Sequence, residues 1–137
     1  QGATVTLRWF DADTEFRCQC HRPECDAPIR PHVLLGRYLD VIRGDYGQPL
    51  VVTSGNRCAV HNAAIGGEAT SEHVWPEGCL GSDLACAGSR DRARLLDAIR
   101  RSGVTRVGLY AKHVHVGVGD MVAAETFAGI VTWLGRA

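Results

Sequence analysis

Val104-Thr105-Arg106-Val107-Gly108-Leu109-Tyr110, followed by His113-Val114-His115-Val116-Gly117-Val118, is the stretch that decides how this chain is read. Both runs are rich in β-branched residues, and only Ala111 and Lys112 separate them, so they predict two strands, Val104 to Leu109 and His113 to Val118, joined as a tight hairpin. A hairpin pairs its strands antiparallel, so the expected class is α+β: a small, mainly antiparallel sheet flanked by helices, not a doubly wound one. Alternate residues of a strand face the same side, so the imidazoles of His113 and His115 enter one site on the sheet face. With His73 and Asp83 upstream they supply three potential metal ligands and one spare base. That is the minimum for a catalytic zinc centre with an open coordination position, where the metal lowers the pKa of water and polarises a carbonyl.

Working outward, Val5, Leu7 and Trp9 alternate along Thr4 to Phe10 and predict a short strand. Pro31 suits the first turn of a helix carrying Val33, Leu34, Tyr38, Leu39, Val41 and Ile42 and ending near Gly44 or Gly47. Leu50-Val51-Val52, within Pro49 to Thr53, reads as a compact buried strand, and Cys58 to Ile65 as a short helix closed by Gly66-Gly67. Pro76, Gly78 and Gly81 make Glu68 to Gly81 a loop, from which Ser82 to Ala85 leaves as a strand. Ser89-Arg90-Asp91 offers a cap for a helix with an apolar stripe of Ala93, Leu95, Leu96 and Ile99, ending by Gly103. Phe127, Ile130, Val131 and Leu134 predict a last amphipathic helix.

The chain of 137 residues suits a single domain, 1–137, able to bury a core without metal or disulfides. Fifteen basic and fifteen acidic residues balance, so no charge excess points to nucleic acid. No apolar stretch approaches bilayer length, so no membrane span is expected. Gln1-Gly2-Ala3-Thr4 is not a signal peptide and reads as a processed end.

Six cysteines fall into an early group, Cys18, Cys20 and Cys25, then Cys58, then Cys79 and Cys86. An even count at this density fits three disulfides in an oxidising compartment. The competing reading is a structural zinc held by Cys18, Cys20 and Cys25, although paired Cys-x2-Cys spacing is missing.

The ordered set Ser54-Gly55-Asn56-Arg57, His61-Asn62, Gly66-Gly67, Ser71-Glu72-His73, Asp83 and His113-Val114-His115 resembles the zinc D-alanyl-D-alanine peptidases, a family that includes D,D-carboxypeptidases and phage endolysins. The resemblance covers roughly residues 16–119, and Glu15-Phe16 with Cys18-x-Cys20 is similar to the leading segment of its short phage-type branch. It implies that His73, Asp83 and His115 bind zinc and that His113 is a general base or electrostatic helper. It further implies that Arg57 holds the substrate carbonyl and the developing oxyanion, where a fixed charge is most effective. Ser71 would hydrogen-bond substrate or order the ligand loop. His61, on a predicted helix, is read as a packing residue, and Trp75 and Tyr110 as low-grade candidates for a substrate groove.

Three departures stand out. His73 and Asp83 are separated by more residues than is usual in the family, which leaves Glu72 and Glu77 as rival carboxylates. Gly117 stands where many relatives carry Asp, so the carboxylate that orients a ligand histidine must be absent or supplied elsewhere. Asn56 replaces the common Tyr, and Cys58 follows the arginine. A bond from Cys58 to Cys18, Cys20 or Cys25 would tether the leading segment beside the site, and a Cys79–Cys86 bridge would clamp the enlarged loop.

The resemblance therefore implies a monomeric zinc metallopeptidase acting on peptidoglycan stem peptides, at a D-Ala-D-Ala or cross-link bond, in the cell envelope or periplasm, secreted, or released by a phage to the cell wall. An L-Ala-D-Glu endolysin and a non-catalytic zinc-bearing binding module of the hedgehog-like fold are the alternatives.

Overall fold

Pro31 and the imidazole of His32 set the start of helix α1 (Val33–Tyr46): His32 Nδ1 accepts from the Leu34 amide at 3.1 Å, satisfying one of the open donors of the first turn. The helix stops at Gly47, whose φ of 78° lies in the left-handed region that glycine enters without a Cβ penalty. Strand β1 (Val52–Ser54), helix α2 (Ala59–Ala64), strand β2 (Gly81–Ala85), helix α3 (Ser89–Ser102), strand β3 (Arg106–Leu109), strand β4 (His113–Gly117) and a 3₁₀ turn (Gly119–Met121) follow. This is a computed structural model, and it describes residues 6–122.

The four strands are ordered β1-β2-β4-β3 and every pairing is antiparallel, so the molecule is α+β as its hairpin predicts. The period of two divides the sheet into two faces. Leu84, Val114 and Val116 point to the face where Leu35, Leu39 and Ile42 of α1 and Leu95 and Ile99 of α3 complete a core of fully buried side chains. Asp83, His113, His115 and Gly117 alternate with them and stand on the opposite face. At roughly 1.5–3 kcal/mol for each large apolar side chain buried, this core dominates what holds the sheet in place. Among the described residues no helix is long and apolar enough to cross a membrane.

Several local expectations are corrected. Residues 6–10 are not a strand; Leu7 and Phe10 are buried, but the backbone is fixed by Asp40, whose carboxylate accepts from the Arg8 and Trp9 amides at 2.6 and 3.0 Å. Trp9 is exposed and lies under the Arg8 and Arg43 guanidinium groups instead of facing a core. The second predicted strand is displaced: Val51 is exposed and pairing begins at Val52. Gly88, not Ser89, occupies the cap of α3, with no side-chain bond, and Ala98 takes the buried place expected of Ala93. All six cysteines are free thiols, so neither the three expected disulfides nor the Cys79–Cys86 clamp is formed. The predicted helix around Phe127 to Leu134 lies outside the described residues.

Candidate functional site

Asp83 and His115 are direct partners across the β2–β4 ladder. Directly opposed residues of an antiparallel pair bring their side chains together on one face, and here His115 Nδ1 lies 2.9 Å from Asp83 Oδ1. The third group comes from the loop. Ser71 Oγ accepts from the His73 amide at 3.1 Å, and the Arg57 amide donates to the His73 carbonyl at 2.9 Å, which hangs the loop beside the sheet. His73 Nε2 then comes to 3.4 Å from Asp83 Oδ1. One donor atom from each of His73, Asp83 and His115 lies within 4.8 Å of the others. The longer spacing between His73 and Asp83 is taken up by residues 74–80, while the ladder alone sets the Asp83–His115 distance.

These residues fit a zinc ion, and the fit rests on the other side of each ring. His73 Nδ1 donates to the Gly55 carbonyl at 2.7 Å, which leaves Nε2 as the free lone pair facing Asp83. His115 Nε2 lies 2.8 Å from Glu72 Oε1, so Nδ1 faces the cluster while the far nitrogen is tied to a carboxylate. A ligand histidine held from behind by a carbonyl or carboxylate is the usual support for a bound metal.

Glu72 lies outside the three-ligand group, behind His115, where it supports the ring. Its buried carboxylate also accepts from the Gly119 amide at 2.8 Å and from Arg106 Nε at 3.0 Å. A Cβ built on Gly117 would fall inside this carboxylate, so glycine at this position leaves the room that Glu72 occupies behind His115. That Glu72 packs on Gly117 and supports His115 was not legible in the sequence, because the two positions are adjacent only after the loop folds over β4. Glu77 is exposed and lines a separate cleft beside His32, away from the cluster.

Charge in the site is mutually compensated. Burial alone would raise the Asp83 carboxyl, but His115 and His73 outweigh it and hold it well below the usual carboxylate range. Burial would likewise push His115 down, yet the bonds to Asp83 and Glu72 prevail and raise it to about 9. The two carboxylates thus favour a positive charge at the point where they face each other across the ring.

Arg57 is half-buried, with Nε 3.2 Å from Ser54 Oγ, Nη1 3.2 Å from Asn62 Oδ1 and Nη2 3.5 Å from Asp83 Oδ2. Asn62 is held in turn by its bond to the Glu68 carbonyl. His61, which neighbours it, bonds through its backbone to the Cys58 sulfur and does not enter the cluster. His113 is on the same face as His115, its Nε2 3.7 Å from Asp83 Oδ2 and its ring stacked on Tyr110 at 4.6 Å. The cluster opens to a cleft of about 720 Å³ bordered by Arg57, Ser71, Tyr110 and His113. Trp75 is packed against the core and does not line that cleft. Asn56 is buried, and its amide bonds the Phe16 and Arg30 carbonyls while its oxygen takes the Cys79 amide, which pins the leading segment and the loop to one point.

Residues 10–118 match the family model of Peptidase M15, an interval that contains every residue of the cluster. No curated protein and no solved structure matches the chain.

Proposed function

The chain belongs to the peptidase M15 family of zinc metallopeptidases, and from that premise we propose that it hydrolyses peptidoglycan stem peptides, at a D-Ala-D-Ala or cross-link bond. The observation that carries this reading is the convergence of His73, Asp83 and His115 at the floor of an open cleft, with Arg57 and His113 on its walls. Those three side chains would hold the metal. When bound there, zinc supplies Lewis acidity toward water and toward a peptide carbonyl.

The remaining work falls to the chain's own groups. Arg57, fixed by Ser54 and Asn62, offers a guanidinium edge to a carbonyl oxygen that becomes negative as the bond is attacked, and a preorganised charge of that kind is worth more than one that must reorient. His113 is the proton carrier: one ring face rests on Tyr110, Nε2 points toward Asp83, and it is partly open to the cleft, so it can take a proton from water and give it to the leaving amine. Ser71 orders the loop that carries His73 and borders the cleft where a stem peptide would lie. Glu72 keeps the His115 ring from turning. Peptidoglycan lies outside the cytoplasm, so the reading places the working enzyme in the envelope or at the wall.

The test is mass spectrometry of pentapeptide and cross-linked muropeptides after incubation with the protein, with and without chelator. A chelator-sensitive product is expected, and its mass names the bond. Release of an L-Ala-D-Glu product would move the specificity, and no product from zinc-loaded protein would leave a binding module in place of a peptidase.

A further inference from the structure

A second group of metal-ligating side chains lies apart from the histidine cluster. Cys18, Cys20 and Cys25 come from the segment before α1, and Cys58 from the cap of α2, and their four Sγ atoms all lie within 4.8 Å of one another. Tetrahedral zinc with Zn–S bonds of about 2.3 Å sets sulfurs about 3.8 Å apart, so this group is already near the required size. We propose that Cys18, Cys20, Cys25 and Cys58 form a four-thiolate structural metal site that takes zinc, separate from the catalytic cluster.

Three observations support it beyond proximity. First, backbone amides are aimed at the sulfurs: Cys58 N–H donates to Cys18 Sγ at 3.4 Å, Arg22 N–H to Cys20 Sγ at 3.4 Å and His61 N–H to Cys58 Sγ at 3.3 Å. Amide donors of this kind stabilise sulfur in its anionic, metal-binding form. His21, between Cys20 and Arg22, has a φ of 58° and is the one non-glycine with positive φ among the described residues. Histidine tolerates this region better than most, but the conformation still needs something to hold it.

Second, the segment has no apolar anchor; besides the sulfurs it is held only by polar contacts such as the Gln19 amide on the Thr53 carbonyl, Arg30 on Asp13 and the Asn56 amide on the Arg30 carbonyl. Residues 17–30 contain no buried side chain, so apolar burial does not order them. A loop of this length with neither core residues nor secondary structure is the kind that a bound metal organises, since binding free energy then becomes folding free energy. Third, none of the four sulfurs is bonded to another, and one tetrahedral ion would engage all four at once, whereas each disulfide joins only two.

The site also has a reason to be where it is. Cys58 directly follows Arg57, and the Asn56 amide donates to the Phe16 carbonyl at 2.9 Å. A metal joining Cys58 to Cys18, Cys20 and Cys25 therefore fastens the leading segment to the turn that carries the arginine. The alternative chemistry for the same sulfurs is one or two disulfides, and the two states differ in metal content and in hydrogen count.

The experiment uses the full chain carrying His73→Ala, which removes a ligand from the histidine cluster and makes the result independent of peptidase activity. Metal analysis should return one zinc per chain in this variant against two in the parent. Adding Cys20→Ser or Cys25→Ser should take it to none. Because a serine variant can fail to fold, the parent protein gives a second readout. Alkylation before denaturation should spare Cys18, Cys20, Cys25 and Cys58 until chelator is added, and cobalt substitution should give intense sulfur-to-metal charge-transfer bands. Zinc content unaffected by the serine changes, no metal in His73→Ala, or a non-reduced mass short of one hydrogen pair per bridge with peptides linking these cysteines would each overturn the proposal.

Discussion

Replacing Glu72 by Gln tests whether the carboxylate behind His115 tunes the metal cluster. Glu72 accepts three bonds, from His115 Nε2, Gly119 N–H and Arg106 Nε, and its side chain is only 3% exposed. Gln keeps the shape and one acceptor oxygen but loses the charge that orients His115 and raises its basicity. Loss of such a support costs roughly 10–100-fold in metal affinity, which is about 1.4–2.7 kcal/mol. Glu72→Ala is harsher: it leaves the Gly119 amide without its acceptor and removes the partner of His115 and of the partly exposed Arg106, together roughly 1–3 kcal/mol of stability. The affinity is best read from zinc titrations followed by the imidazole resonances of His73 and His115, which report on this cluster alone, with thermal unfolding run alongside. Gly117→Ala supplies the complement. Its Cβ would overlap the Glu72 carboxylate, so the single change should cost about 1–3 kcal/mol, and most of that cost should vanish in the Glu72→Ala background. Unchanged zinc affinity in Glu72→Gln would refute the support of His115 by Glu72, and strictly additive penalties at 72 and 117 would refute the packing of one against the other.

Arg57→Lys should retain zinc and lower kcat by roughly 10²–10³, because lysine cannot keep the Ser54 and Asn62 bonds while presenting a second edge; a loss confined to KM would count against the oxyanion role. His113→Ala should leave metal content intact and lower kcat by roughly 10²–10⁴ with loss of one limb of the pH–rate profile, whereas loss of zinc would make His113 a ligand. In zinc-free protein, His115 has its proton held to about 9 against 6.5 unperturbed, so its stabilising contribution is complete below pH 6.5 and disappears as pH rises through about 9. The melting temperature of the stripped protein should fall across that window, while zinc affinity climbs and proton release on binding declines; a flat profile would mean that His115 is neutral without metal.

The hairpin was the most legible part of the chain because a period of two is written in its residues: it predicts both the antiparallel class and the shared face of His113 and His115. α1 and α3 were legible for the same kind of reason, with apolar spacing and a glycine at each C-terminal stop. What failed was local patterning without a partner. Leu7 and Phe10 are buried as their character suggests, but no strand pairs with them among the described residues, and the Asp40 carboxylate takes their neighbours' amides instead. The Asp83 distance could not be read by counting from His73, since the ladder with His115 and not the loop determines it. Glu72 with Gly117, and Cys58 with Cys18, Cys20 and Cys25, are meetings of remote segments with no local signature. The even cysteine count pointed to disulfides, where four of the six converge as free thiols.

The β2–β4 ladder also bears on how the chain reaches its native state. Its strands pair Asp83 with His115 across 32 positions of sequence, so their pairing must close a loop and cannot be fixed by local turn chemistry. A slip of one residue would exchange the two faces of a strand, driving a carboxylate or the two imidazoles in among the leucines of the helices and turning Leu84, or Val114 and Val116, to water. The misregistered sheet could neither bury its own polar groups nor assemble a ligand set. The same side chains that equip the cleft for chemistry thus act during folding as a proofreading mark, admitting one register and rejecting its neighbours.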